Sequence, residues 1–305
     1  NRIGLDKYLA MQGLTFELKS HKTDTGYNNL MGYPIDDDKM YENLMTDIGK
    51  NEWSTNFDHD IFYNSENIDY LNWSKDYQPG YMFRNLGNEK IFFNKQTKRL
   101  LQNYRSAYIQ LASVYYYQHR NLDRKKKNRK EDEMSSLKIK TIDVLDKMER
   151  NIPENTIPIH SEDLHYEVAK IYGYFDEKES MRNILEKLTN KKSGKPINKI
   201  KYANTFYQEL NDVDRSIVIL ESLRNEFFEI ESILSAKGFG KKSVTRRKWK
   251  QWQNAYPELV NSLVYIYRKN DKLSDAGIVL SDWVMRNPND TNAKEILKQI
   301  RSGEK

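Results

Sequence analysis

Histidine is the side chain best suited to proton transfer or metal ligation near neutral pH, and this sequence has five: His21, His59, His119, His160 and His165. The triplet "DHD" at 58–60 offers two carboxylates around one imidazole, too few local donors to complete a metal site. His160 and His165 bracket Glu162 and Asp163, but not in the order that sets two imidazoles and a general base on one helical face. The triple Asp at 36–38 has neither the glycine nor the closing glutamate of a calcium loop, and helix capping accounts for it better. "GFGKKS" at 238–243 lacks the spacing of a phosphate-cradling loop, and no serine-nucleophile or dinucleotide fingerprint is found. No catalytic residue, metal site or cofactor is expected.

The segment "KKSVTRRKWKQW" is a different kind of candidate. Lys241, Lys242, Arg246, Arg247, Lys248 and Lys250 are six cations with no acid before Glu258, and Trp249 and Trp252 are interleaved among them. Such a stretch suits phosphate, an anionic lipid surface or an acidic polymer. A plainer reading competes with it. Trp249, Trp252 and Tyr256 fall at helical spacing and form a core-facing stripe, leaving the cations on the wet face. The second basic cluster, at 124–130, is followed at once by Glu131, Asp132 and Glu133 and reads as a solvated face. The sequons at Asn72 and Asn289 are expected by chance in an Asn-rich chain.

Such side chains need a scaffold, and composition bounds its type. The chain has 305 residues, 50 basic and 44 acidic, with a net charge of +6. Its mean hydropathy of −0.89 is very polar, yet 21 Tyr, 11 Phe and 5 Trp are too many aromatics for a disordered segment. A folded chain with much surface per residue, as in elongated repeat proteins, reconciles the two. The absence of Cys removes disulfide and thiolate chemistry. No stretch approaches the roughly 18–20 apolar residues of a membrane helix. The first residue is Asn rather than Met, so a leader or further chain is expected before it.

A helix-turn-helix repeat of the tetratricopeptide type, about 34 residues long, fits four segments. With Pro257 as position 1, Leu263, Tyr267, Ala276, Leu280 and Pro288 take positions 7, 11, 20, 24 and 32. Small residues suit the close crossing of paired helices, larger ones fill the gaps, and the late proline ends the second helix. Trp283 at the usually small position 27 departs from the pattern, as a terminal repeat would. The same ruler places Tyr172, Met181, Leu185 and Leu188 in one unit and Ala203, Tyr207, Ser216, Leu220 and Leu223 in another. Both keep a step of nine residues from Tyr to the small or flexible site. A fourth unit, from Tyr108, Leu111, Ala112 and Tyr115 to Leu145, Met148 and Pro153, needs an insertion of 17 residues, mostly "RNLDRKKKNRKEDEM". That insertion reads as a solvated loop or helix extension.

The expected fold is therefore mostly α: a tetratricopeptide-like α-solenoid of helical hairpins over 95–305, with units near 105–155, 162–195, 197–230 and 257–290. An irregular helical bundle is the alternative. Residues 1–94 read as a small mixed α/β cap. "GLDKYLAMQ" suggests a short helix ended by Gly13, and "GLTFELKS" alternates as a strand with Leu14, Phe16 and Leu18 on one face. "PIDDDKMYENLMTDIG" reads as a capped helix with Met40, Leu44, Met45 and Ile48 inward, and 51–90 as an aromatic-rich loop region.

Stacked helix pairs offer a groove lined by the first helix of each unit. The ruler nominates Ser113 and Tyr116, Tyr166 and Lys170, Lys201, Thr205 and Gln208, then Tyr265 and Arg268. This mixture suits an extended polar or acidic peptide better than an apolar helix, though some of these residues are equally placed to touch neighbouring repeats.

Three stretches carry a family resemblance. "IGLDKYLAMQGLTFEL", "MYENLM" and "YMFRNLGNEKIFFNKQTKRLLQNYRSAYIQLA", in this order, closely resemble the soluble tail of a bacterial family of multi-spanning membrane proteins similar to protein O-mannosyltransferases. The resemblance covers most of residues 1–230, with "NYR" at 103–105 as its most recognisable piece. The stretch 51–78, the basic insertion after Leu122 and the lysine-rich tail depart from it. The family implies an amino-terminal bundle of membrane helices holding the sugar-transfer site, and a carboxy-terminal repeat region facing the periplasm. On that basis this chain is a non-catalytic domain on the periplasmic face of the inner membrane. It is attached to a membrane-embedded domain and binds an acceptor protein or partner subunit. A free-standing adaptor for acidic peptides is the rival, and a nucleic acid ranks last among the partners.

Overall fold

In the computed structural model of the chain the described residues are 8–20, 22–23, 34–46, 81, 83, 86–124, 130–237 and 244–302. They form two compact units, Asn1–Ser161 and Glu162–Lys305, mostly helical, with a two-stranded sheet in the first.

In the first unit, β1 (Leu9–Met11) pairs antiparallel with β2 (Phe16–Leu18), Ala10 lying opposite Glu17. Leu9–Met11 is thus a strand, where the sequence suggested a helix. An isolated short helix is costly to nucleate, and the segment gains instead a sheet partner on one side and a parallel bridge from Met11 to Ile35 on the other. Gly13 makes the reversal possible. Its φ of +116° is poorly tolerated by other residues, and a Cβ there would collide with the Tyr81 hydroxyl. The alternating face of β2 points outward, since Phe16 and Leu18 are exposed.

Helix α1 (Asp37–Met45) forms as the capped sequence dictates. The Asp36 carboxylate accepts from the Lys39 amide, Asp37 and Asp38 occupy the first turn, and Met40 and Leu44 are buried. Met45 is only half-buried, while Ile48 and the 51–80 part of the loop region, with "DHD", lie outside the described residues. The long helices α2 (Lys95–Arg124) and α3 (Glu131–Asn151) pack on each other and on α1. Most of the inserted sequence therefore lengthens these two helices. Tyr108 ties the three elements together: its hydroxyl donates to the Leu44 carbonyl (2.9 Å) and accepts from the Asn151 amide (2.9 Å). The compact units divide at Ser161/Glu162.

The second unit contains α4 (Glu162–Tyr174), α5 (Lys178–Asn190), α6 (Pro196–Gln208), α7 (Val213–Lys237), α8 (Val244–Lys269), α9 (Leu273–Arg286) and α10 (Thr291–Ser302). Each packs on the next, and α8 also packs on α6. The residues placed by the ruler at the helix crossings are inside (Tyr172, Met181, Leu185 and Leu188; Ala203, Ser216, Leu220 and Leu223; Leu263, Tyr267, Ala276 and Leu280), except Tyr207, which is only half-buried. Two helices exceed the expected units. α7 continues to Lys237, and α8 begins at Val244, so Pro257 lies inside it and removes one backbone donor. The extensions pack through aromatic rings. Phe227 stacks on Tyr256 (3.7 Å between centroids) and on Trp249 (5.5 Å), with Trp252 edge-on and fully buried.

Three turns carry the same backbone device. Asp176, Asn211 and Asp271 have φ of 64°, 52° and 58°, the left-handed conformation that Asp and Asn tolerate better than other non-glycine residues. Each lies four residues after a ruler tyrosine: Tyr172, Tyr207 and Tyr267. The amides of Glu177 and Lys272 return to the carbonyls of Tyr172 and Tyr267 (both 2.9 Å), and that of Asp212 to Phe206 (2.9 Å).

Candidate functional site

Residues nominated for a groove fall in both units and are described in each separately. In the first unit, Ser113 is buried and its hydroxyl is spent on the Gln110 carbonyl (2.7 Å). It is a core residue, not a groove residue. Tyr116 is half-buried, its ring against Tyr117 (5.0 Å), and it accepts from Arg120.

The second unit brings several nominated residues together. Tyr166 on α4 donates to the Thr205 hydroxyl on α6 (2.8 Å), because the Thr205 proton is already directed to the Lys201 carbonyl (2.9 Å). Tyr166 and Thr205 are both buried, so they join successive hairpins and do not face a ligand. The Lys201 ammonium sits 4.0 Å from the centre of the Tyr166 ring, and Lys170 lies 5.5 Å from it while pairing with Glu167 (2.7 Å). Lys170, Lys201 and Gln208 are exposed. Farther along, Tyr207 on α6 meets the Tyr265 ring on α8 edge-on at 6.1 Å. Tyr265 is exposed, and with Arg268 it lines a cleft of about 920 Å³ between α8, α9 and α10. Its floor is apolar, with Val264, Leu280, Trp283 and Ile296.

Charge is distributed unequally between the first and second helices of the hairpins. The second helices are stitched by ion pairs: Arg182 of α5 to Asp212, Arg215 of α7 to Glu186 of α5 (2.7 Å), Arg224 of α7 to Asp282 of α9, and Arg286 of α9 to Glu231 of α7 (2.8 Å). Burial pushes the Asp212 carboxyl up, but the Arg182 guanidinium and the Arg215 amide outweigh it and hold it below the usual range. By contrast Lys201, Arg268 and Lys269, all on first helices, make no ion pair with the described residues. Lys201 and Lys269 are exposed and Arg268 is half-buried.

Of the basic segment, Lys241 and Lys242 lie outside the described residues, whereas Arg246, Arg247, Lys248 and Lys250 are exposed on α8. Trp249, Trp252 and Tyr256 turn toward Phe227, so the stripe is a packing face with cations on its wet side. Among the described histidines, His165 is buried in α4, and burial pushes His119 down from its ordinary value. No group of three or more His, Cys, Asp or Glu able to hold a metal occurs among the described residues. Nor is any helix among them long and apolar enough to cross a membrane.

Arg105, in the "NYR" at 103–105, was given no structural role from the sequence. It is almost fully buried and donates to the carbonyls of Ile152 (2.7 Å) and Ile157, with Glu154 at 3.5 Å and Glu149 at 3.9 Å. The arginine of "NYR" thus clasps the end of α3 and the following turn, a structural role. The cleft between α8 and α10 was missed as well, because it exists only once three helices are assembled. Its sequence signal was Trp283, too large for its position.

No family model matches the chain, and no curated protein does.

Proposed function

We propose that this chain is a non-catalytic, tetratricopeptide-like solenoid module that binds protein. A membrane-embedded glycosyltransferase holds it on the periplasmic face of the inner membrane, where it receives acceptor proteins or partner subunits. The observation that carries the repeat reading is the recurrence in three successive hairpins of one geometry. A tyrosine in the first helix is followed four residues later by Asp176, Asn211 or Asp271 in the left-handed conformation, and then by a small or flexible residue buried at the crossing. Stacked hairpins of this kind present extended surfaces and bind more often than they catalyse. The three segments around residues 3–18, 40–45 and 81–112 support the attachment to a transferase.

Deleting residues 1–305 from the full-length transferase tests the reading. Loss of acceptor glycosylation, with the membrane part still inserted, is the expected result; unchanged glycosylation overturns it.

A free-standing adaptor for acidic peptides is the second reading, favoured by Lys201, Arg268 and Lys269, which make no ion pair among the described residues. Cell fractionation with an antibody against the chain separates the two. A membrane-bound species far heavier than 36.3 kDa supports the transferase module, and a soluble species near that mass supports the adaptor.

A further inference from the structure

The junctions between successive first helices in the second unit are not equivalent. Between α4 and α6 the space is closed by the bond from Tyr166 to Thr205 and by the tilted contact of Tyr166 with Tyr202 (5.3 Å). Between α6 and α8 it is closed by direct helix packing, by the bond from Asn204 to Ser262 (3.0 Å) and by the edge contact of Tyr207 with Tyr265. Between α8 and α10 it is open, and the cleft of about 920 Å³ takes its place.

The reason lies in the anchoring of α10. Trp283 of α9 donates through Nε1 to the Asp290 carboxylate (2.8 Å), and the other oxygen of Asp290 caps the Ala293 amide (2.9 Å). These bonds tie the start of α10 to α9, with the indole lining the gap. The lining is asymmetric in polarity. Val264, Leu280, Trp283 and Ile296 make an apolar floor, while Tyr265, Arg268 and Lys269 stand on the α8 side. Two acids also line the cleft: Asp271, at the turn between α8 and α9, and Asp290 at the far side, whose two donors hold its carboxyl below the usual range. Among the described residues Arg268 and Lys269 make no ion pair with a carboxylate, although Arg182, Arg215, Arg224 and Arg286 of the same unit each do.

We infer that this cleft is a peptide-docking site whose occupant is an extended protein segment. One bulky apolar side chain of that segment fills the floor, and an adjacent carboxylate is held by Arg268 and Lys269. The apolar floor supplies the anchor and the cations supply direction, the combination by which a shallow groove selects one segment. Tyr265 and Lys201 extend the same polar, cationic character toward α6 and α4, a surface suited to acidic residues of the docked segment beyond its anchor. The inference rests on the repeat-module reading and assigns that module its point of contact.

The test is selection of a random peptide library displayed on phage against the whole chain, followed by fluorescence anisotropy with the enriched peptides. Enriched sequences are expected to carry a Leu, Ile, Phe or Trp within two residues of Asp, Glu or the chain end. Arg268→Glu is expected to weaken binding about ten-fold or more, as loss of a charge-assisted contact does. Ile296→Gln, on the half-buried wall, is expected to weaken it several-fold, with circular dichroism confirming that both variants remain folded. Amidating the peptide terminus, against replacing its Asp or Glu by the amide, distinguishes a terminal carboxylate from a side-chain one. Binding that ignores both substitutions overturns the docking site and leaves the repeat module standing. Failure to enrich any peptide overturns both.

Discussion

Arg105 shows how a residue can be prominent in a sequence for a reason the sequence does not state. Burial drives its guanidinium pKa down, and nearby Glu154 and Glu149 oppose that shift. Its contacts with the Ile152 and Ile157 carbonyls fix the chain after α3. Arg105→Ala should destabilise the fold by about 2–4 kcal/mol, because it strands buried carbonyls and leaves a void; the shift of a urea midpoint measures it. Arg105→Lys should recover little, since one ammonium cannot reproduce the planar fork. A second residue-scale expectation concerns acid. The folded Asp212 carboxyl lies below its unfolded value of about 3.9. Its contribution to stability is therefore full above roughly pH 4 and is lost as pH falls through the folded value. Thermal melts from pH 6 down to pH 2 should show this loss, and Asp212→Asn should flatten part of it while lowering stability at pH 6. At this scale the sequence named charged residues readily, but which were paired and which were free depended on neighbours some 30 to 60 positions away, as with Arg182 and Asp212 or Arg224 and Asp282.

The hairpin is the element that recurs, and its turn can be probed directly. Asn211 holds a φ of 52° between α6 and α7. Replacing it with Gly should leave stability equal or raise it by a few tenths of a kcal/mol, because glycine meets no steric cost there. Replacing it with Val should cost about 1–2 kcal/mol, the penalty of a left-handed conformation for a branched side chain. Paired denaturation curves decide the matter, and an Asn211→Val variant as stable as the parent would remove the turn from the account. Helix positions and crossing residues were legible because apolar spacing of 3.6 survives any context: Leu185, Ala203, Leu220 and Ala276 are all inside. Element ends were not. α8 runs through Pro257 because Trp252 and Tyr256 gain aromatic packing against Phe227, a contact across the α7–α8 hairpin that no local rule for proline includes. Leu9–Met11 became a strand for a similar reason, since its partner is supplied by a turn around Gly13 and by Ile35.

At the scale of the molecule, the division at Ser161/Glu162 implies that each unit holds its own core. A fragment of residues 162–305 should therefore fold alone, with a helical circular dichroism spectrum and one cooperative thermal transition. A spectrum without cooperative melting would show that the second unit depends on the first. The sequence by itself determined the helical class and the places where hairpins cross, because these follow from spacing and from residue type. It also carried the wet cations and the inward-turned indoles of α8, which alternate at helical period. Only the tertiary structure decided which nominated groove residues are accessible. Ser113, Tyr166 and Thr205 are consumed by packing, whereas Lys201, Tyr265 and Arg268 remain on the surface or line the cleft. The physical reason is that period fixes which face of a helix a residue occupies, while the approach of the next helix decides whether that face is covered or left open to a partner.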